Sequence, residues 1–307
     1  MTSGGPRVEG EPGREAHDAS QSRFFDPECA RWDLGGQALS LDRPRVMGLV
    51  NLTPDSFSDG GQLPTPEAAL DRARQLVREG ADVLDVGGES TRPGAVTVSP
   101  EEEKRRVLPF IEAAAETFEV PISVDTRNAS VARDALRAGA RIVNDVSGLK
   151  HDEDMAQVVG EGGGALVLSH MRGTPATMRG LATYQDVALE VKEELAQSLA
   201  RARDAGIRED RIVLDPGIGF AKTGPQSLAL MGRLRDLLAL GLPILVGPSR
   251  KSFIGELTGA PPQDRTPGTL AACVFCYLQG ARIFRVHDVA SLVQALAVTR
   301  ALGEASE

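Results

Sequence analysis

Eight short apolar runs decide what this chain can fold into. They lie at residues 45–51, 82–87, 121–125, 141–146, 165–169, 211–215, 243–247 and 283–287. Stretches of helical periodicity stand between them, among them 66–80, 100–118, 129–139, 186–206, 225–240 and 268–280. Strands that alternate with helices form right-handed βαβ units around a parallel sheet. Eight strands is the count of a (β/α)8 TIM barrel, and a barrel of roughly 250 residues fits within this 307-residue chain. The expected fold is α/β, with one barrel domain over residues 29–307. Alternation around Gly35-Gly36 signals a short β-hairpin ahead of the barrel. Residues 1–28, rich in Gly, Glu, Ser and Asp, read as a disordered tail. An open doubly wound sheet is the alternative, but no G-x-G-x-x-G follows any strand. Gly217–Thr223 has the outline of a P-loop, yet Ala221 stands where that loop needs the Gly before its Lys.

Composition narrows the function. Net charge is −9 with 25% charged residues, so a surface for sequence-independent nucleic-acid binding, which needs clustered Lys and Arg, is not expected. No apolar run reaches the roughly 18–20 residues of a membrane span, and no basic-then-apolar leader opens the chain. Three cysteines, Cys29, Cys273 and Cys276, are too few for a disulfide scaffold and suit a reducing cytoplasm.

The strand ends carry the chemistry. In a barrel these ends converge on one face, and polar residues there read as catalytic. The first run stops at Asn51 and enters a loop with Thr53, Asp55, Ser56, Ser58 and Asp59. Later runs deliver Asp85, then Asp125, Asn144, Ser169-His170, Asp215, Ser249-Arg250-Lys251 and Arg285 with His287. One Asp after a strand is more often a helix cap than a catalyst. Eight polar strand ends together are not explained by caps. Carboxylates beside an Asn suit a heterocycle with N–C–N donors. Lys251, Arg285 and His287 suit an anion, and barrel phosphate sites form after the last two strands. Asn51 offers a neutral oxygen to a hard cation such as Mg2+.

These residues resemble dihydropteroate synthases. The resemblance rests on Asn51-Leu-Thr-Pro-Asp-Ser-Phe-Ser-Asp-Gly-Gly61, Asp85-Val-Gly-Gly-Glu-Ser-Thr-Arg-Pro-Gly-Ala95, Val124-Asp-Thr126, Asn144-Asp-Val146, Leu214-Asp-Pro-Gly-Ile-Gly-Phe-Ala-Lys-Thr223, Ser249-Arg-Lys-Ser252 and Arg285-Val-His-Asp288, in that order, across about residues 45–300. It implies a TIM barrel and a transferase of folate biosynthesis. That enzyme joins 4-aminobenzoate to (7,8-dihydropterin-6-yl)methyl diphosphate and releases pyrophosphate and 7,8-dihydropteroate. It also implies loss of pyrophosphate before the amine attacks, so no strong base is needed.

Site roles follow from the same resemblance. Asp125, Lys251, Arg92 and Asp85 are the implied catalytic residues. Thr91, Asp125, Asn144, Asp215, Lys251, Arg285 and His287 are implied to hold pterin and diphosphate. Phe57, Pro93, Phe220 and Ser252 are implied to form the 4-aminobenzoate pocket, where sulfonamides compete. Asn51 is the implied Mg2+ ligand. A cytoplasmic homodimer is expected, with its interface sought on the late helices. Ser169 departs from the family, which commonly has Met there against the pterin.

Other residues read as structural. Cys273 and Cys276 fall in a predicted helix as buried small side chains. His151 reads as a solvated loop residue, and His170 as a support behind the ligand. The run Glu101–Arg106 after Ser99-Pro100 reads as a helix start with acids at the positive end of the dipole. A related barrel that binds methyltetrahydrofolate and passes methyl to a corrinoid protein is the alternative function. It would not need the Ser-Thr-Arg-Pro loop, Ser249-Arg250-Lys251 or Arg285-Val286-His287.

Overall fold

The computed structural model describes residues 1, 31–53, 65–92, 94, 95 and 97–306. All of the tail at 1–28 but its first residue, Cys29, the polar loop at 54–61 with Phe57, and Pro93 therefore lie outside the described residues.

A small antiparallel hairpin comes first, β1 (Arg31–Asp33) and β2 (Ala38–Ser40). Eight parallel strands follow: β3 (Arg45–Asn51), β4 (Val83–Gly87), β5 (Ile122–Asp125), β6 (Ile142–Asp145), β7 (Ala165–Ser169), β8 (Ile212–Asp215), β9 (Leu245–Val246) and β10 (Ile283–Val286). They neighbour one another in the order β8-β7-β6-β5-β4-β3-β10-β9. A parallel bridge between Leu214 and Ile244 joins the two ends of that order. The Leu214 N–H also donates to the Pro243 carbonyl at 2.9 Å. The sheet thereby closes on itself.

Helices wrap the outside: α1 (Pro66–Arg78), α2 (Pro100–Thr117), α3 (Ala129–Arg137), α4 (Met155–Gly162), α5 (Val187–Asp204), α6 (Gly224–Gly232), α7 (Arg235–Leu238), α8 (Ser252–Thr258), α9 (Thr266–Leu278) and α10 (Val289–Glu304). Caps placed in the sequence set their starts. Thr65 and Ser99 each accept from the backbone three residues on, and a Pro opens both helices. Glu101, Glu102 and Glu103 fill the first turn of α2 as its dipole favours. The stretch expected as one helix over 225–240 is two, α6 and α7, broken near Arg233. The apolar run 243–247 keeps only two residues in regular strand.

Two cores result from the two-residue period of the strands. Outward residues such as Val46, Leu84, Val124, Val143, Leu166, Leu214 and Phe284 pack against the helices. Inward residues Met47, Val83, Ile142, Ala165, Val167, Val213, Leu245 and Ile283 fill the barrel with Trp32, Leu34 and Leu41. The hairpin is thus a plug under the barrel floor, and the Trp32 indole N–H donates to the Arg211 carbonyl at 3.0 Å. With its lower end sealed by apolar side chains, the barrel opens at the C-terminal ends of its strands.

Candidate active site

The same two-residue period carries the inward face from apolar floor to polar mouth. On β4 the inward residue above Val83 is Asp85. On β6 Asn144 stands above Ile142, on β8 Asp215 above Val213, and on β10 Arg285 above Ile283. Asp125 ends β5 and pairs in register with Gly87 and Asn144.

Arg285 joins these carboxylates. Its Nε donates to Asp85 Oδ2 at 2.6 Å and its Nη2 to Asp125 Oδ2 at 2.6 Å. Asn144 Nδ2 donates to the same Asp85 oxygen at 3.3 Å. Burial pushes the Asp125 carboxyl up to about 7 against the pull of Arg285, with Asp85 adding to the rise. Burial alone would lower the Arg285 guanidinium, but Asp85 and Asp125 carry it above its ordinary value. Asp215 is also pushed up by burial, while a 2.8 Å hydrogen bond from Gly217 N–H opposes the rise. Its other oxygen accepts from the Ser169 hydroxyl at 3.2 Å. So Ser169 contributes a hydrogen bond to the floor of the site.

Some buried polar atoms here have no hydrogen-bond partner: Asp85 Oδ1, Asn144 Oδ1 and Ser123 Oγ. Such orphans are rare in folded proteins and call for an explanation. An unpaired buried acceptor at the base of the mouth is what the N–H edge of a flat heterocycle would satisfy.

Above the carboxylates the mouth is cationic. Lys251 caps α8, and its Nζ lies 3.8 Å from the centre of the Phe220 ring. Burial, then Arg285, draws its ammonium down to about 8, with Asp215 and Asp125 opposing. Arg265 fixes the turn that carries Lys251, donating from Nη1 to the Arg250 carbonyl at 3.1 Å and from Nε to the Ala260 carbonyl at 2.9 Å. His287 follows β10. Burial, Arg250, Arg285, Arg92 and Lys251 together draw it down to about 3, so it is neutral. Ser249 Oγ accepts from His287 N–H at 3.3 Å and lies 2.9 Å from Nδ1. The hydroxyl can donate to Nδ1 or accept from it, so the neutral ring carries its single proton on either nitrogen. The sequence reading gave His287 an anion to hold. In this field of four cations it brings no charge of its own, and Arg250 joins Arg92, Lys251 and Arg285 as the positive set.

Thr91 is half-buried and Arg92 exposed on the loop after β4. A buried bidentate pair holds the root of that loop. Arg127 donates to Glu89 from Nε at 3.0 Å and from Nη2 at 2.9 Å, and Glu89 also accepts from Val98 N–H at 3.1 Å. Ser252 is exposed at the start of α8, and Phe220 is buried with Val146, Met171, Met178 and Ala221. His151 is exposed, while Cys273 and Cys276 are buried in α9. Burial pushes the Cys276 thiol up to about 12.

Among the described residues no group of three or more His, Cys, Asp or Glu side chains is placed to hold a metal. Asn51 ends β3 beside Gly87 and is half-buried. An ion given one neutral protein oxygen must take its other ligands from water and phosphate, which is the habit of Mg2+.

Sequence reasoning passed over the supports: Glu89 with Arg127, Arg265, and Lys222 with Glu194. Glu89 and Arg127 were visible as neighbours of site motifs, but nothing in their spacing pairs them.

The profile of the family described as Pterin binding enzyme matches residues 47–287. The chain is 46% identical over 261 residues to a dihydropteroate synthase of Synechocystis sp., an alignment that covers 85% of this chain and 90% of that one. It superposes with a TM-score of 0.84 on the solved Xanthomonas albilineans dihydropteroate synthase with 4-aminobenzoic acid, at 46% identity, covering 89% and 98% of the two chains. The Xanthomonas albilineans enzyme in complex with 7,8-dihydropteroate matches with a TM-score of 0.80 at 44% identity, covering the same 89% and 98%. A Yersinia pestis dihydropteroate synthase in a sulfonamide drug complex gives a TM-score of 0.85 at 40% identity, again over 89% and 98%. The chain therefore belongs to the dihydropteroate synthases, within the pterin-binding enzymes.

Proposed function

We propose that this chain condenses (7,8-dihydropterin-6-yl)methyl diphosphate with 4-aminobenzoate, releasing pyrophosphate and 7,8-dihydropteroate for folate biosynthesis. The observation that carries this reading is the convergence of Asp85, Asp125, Asn144 and Arg285 from four strands into one hydrogen-bonded cluster. Asp215 and Lys251 lie in its field.

The roles follow from chemistry and position. Asp215 and Asn144 hold the pterin's pyrimidine edge. Asp85 and Asp125, buried and facing the ring, stabilise positive charge as pyrophosphate leaves, because fixed charges in a site closed to water act strongly. Lys251 stands between the pterin and the Phe220 wall. Phe220 with Ser252, and outside the described residues Phe57 and Pro93, bounds the 4-aminobenzoate pocket. Arg285, Arg92 and His287 receive the diphosphate. Asn51 would hold Mg2+, which when bound offsets charge on the departing phosphates. A carbocation-like centre needs no strong base at the attacking amine.

With Mg2+, the purified protein should release pyrophosphate only when both substrates are supplied, and chelation with EDTA should stop it. Methyl transfer from methyltetrahydrofolate without pyrophosphate release would reject the reading.

A homodimer is proposed on the face of α8, α9 and α10. Leu257, Phe275, Leu278, Val298 and Leu302 are exposed there, and clustered exposed apolar side chains mark protein interfaces. Sedimentation should give twice the chain mass, and Val298→Glu with Leu302→Glu should give one. A monomeric wild type would refute it. No helix among the described residues is long and apolar enough to cross a membrane. The two buried free thiols suit the cytoplasm, where cell fractionation should find the enzyme.

A further inference from the structure

Lys222 lies outside the set of residues that face the substrates, yet it is 9% exposed directly beneath them. Its Nζ donates to the carbonyl of Phe220 at 3.0 Å and to that of Gly217 at 3.1 Å, and it lies 2.9 Å from His170 Nδ1. The histidine's protonation is fixed from its other side. Glu194, a carboxylate held by Arg172 Nε at 2.7 Å, lies 3.0 Å from His170 Nε2. A carboxylate only accepts, so Nε2 carries the proton and Nδ1 presents a lone pair. Burial, then Lys222, keeps the imidazole neutral, drawn down to about 3. The three donors of the ammonium thus meet three acceptors.

A lysine withdrawn from water is costly to a fold unless its partners are complete. Burial draws the Lys222 ammonium down to about 7, against Asp215 and Glu194. What the arrangement holds is the loop between β8 and α6. That loop has positive φ at Gly217 (67°), Gly219 (79°) and Ala221 (47°), and left-handed backbone at a residue with a side chain is strained. The loop carries Phe220, whose ring faces Lys251 Nζ at 3.8 Å. A Cβ placed on Gly219 would stand 3.1 Å from Lys251 Cδ. The path of this loop therefore sets both the aromatic wall and the place of the Lys251 ammonium.

We propose that Lys222 is a positioning residue for the 4-aminobenzoate half of the site. From beneath, it clamps the Gly217–Ala221 loop through two carbonyls and His170, and so fixes Phe220 and Lys251. The inference rests on the reading of Phe220 as a wall of that pocket.

Lys222→Met keeps the chain length and removes all three donors. Steady-state pyrophosphate release should show KM for 4-aminobenzoate raised about tenfold or more, the scale of a lost charged hydrogen bond. KM for the pterin diphosphate should rise clearly less, since Lys222 reaches the pterin side only through the field of Asp215 and the place of Lys251 and makes no hydrogen bond to Asp85, Asn144, Asp125 or Arg285. Lys222→Arg, which keeps donors toward the two carbonyls, should recover part of the loss. If Lys222→Met does not fold, His170→Leu removes one acceptor of the three and should raise KM for 4-aminobenzoate about threefold. Equal rises in both KM values, or a lower kcat with both unchanged, would make Lys222 a structural tie only and overturn the proposal. Phe220→Ala separates this from the underlying reading. If it leaves KM for 4-aminobenzoate unchanged, the pocket is misplaced, whatever Lys222 does.

Discussion

Replacing Arg285 with Leu should destabilise the protein by an amount that grows with pH. Arg285 is the cation for two buried carboxylates, Asp85 at 0% and Asp125 at 6% exposure, each 2.6 Å away. Removing one partner of a buried pair costs about 3–5 kcal/mol when the remaining charge cannot reach water. The carboxylate can escape that cost by taking a proton, and this sets the pH dependence. Asp125 already has its pKa raised from 3.8 to about 7 by burial, with Arg285 pulling it down. Without Arg285 it rises further. Between 3.8 and the folded value the native state binds a proton that the unfolded chain lacks, so stability falls as pH rises through that window. In the wild type the fall ends near pH 7. In the variant it continues above 7 at about 1.4 kcal/mol per pH unit for one proton. Between pH 6.5 and 8.5 the destabilisation should therefore grow by about 2 kcal/mol, from near the lower end of that range to near the upper. Urea unfolding followed by circular dichroism at the two pH values measures it. Arg285→Leu combined with Asp125→Asn should lose the part of the pH dependence that Asp125 contributes and keep any part that belongs to Asp85. A destabilisation below about 1 kcal/mol, or one equal at both pH values, would mean that these carboxylates do not depend on Arg285.

Two further outcomes follow from the site. If Asp125 must be ionised to stabilise a cationic pterin, kcat/KM for the pterin diphosphate falls as pH drops through about 7, where burial has placed its carboxyl; Asp125→Asn should be slow and lack that acid limb, and a flat wild-type profile from pH 5.5 to 7.5 would refute the assignment. Gly217→Ala should lower Tm by several degrees, because φ is 67° there and the added Cβ would overlap the His170 carbonyl; strain of about 1–3 kcal/mol is expected before the overlap is counted, and an unchanged Tm would show that the loop relaxes freely.

The barrel was legible in the sequence because its two periods are strong and its boundaries are chemical. Thr65-Pro66 and Ser99-Pro100 announce helix starts, and each cap is made as written. Less was legible where tertiary packing overrode the local pattern. The helix expected over 225–240 breaks near Arg233, whose guanidinium turns out to Asp186 at 2.6 Å and to Asp236 at 2.8 Å. The helix α4, at Met155–Gly162, is short, begins after the acidic run Asp152-Glu153-Asp154 and ends in Gly-rich sequence, so its periodicity spans barely two turns. The hairpin was visible around Gly35-Gly36, but its role as the barrel floor was not. That role depends on Trp32, Leu34 and Leu41 meeting inward residues from distant strands.

The site divides along the same line. Residues that face a ligand stand at strand ends, and a two-residue period fixes which of them point inward, so Asp85, Asn144, Asp215 and Arg285 could be named from position alone. Residues that hold those residues need only reach them, and no period constrains from where. Arg265 reaches back 15 positions to the Arg250 carbonyl, Arg127 reaches 38 to Glu89, and Lys222 reaches 52 to His170. Each is a long side chain in an ordinary sequence context. The same reasoning explains why the ion pairs of Arg285 were not legible. Its charge pointed to the diphosphate, whereas its neighbours across 160 and 200 positions make it first the counter-charge of Asp125 and Asp85. An anion entering this mouth therefore meets a guanidinium already committed to two carboxylates, so in the proposed reading ring recognition and diphosphate recognition would share one cation. On that reading a substitution at Arg285 would perturb both halves of the substrate, and one at Asp215 or Arg92 a single half.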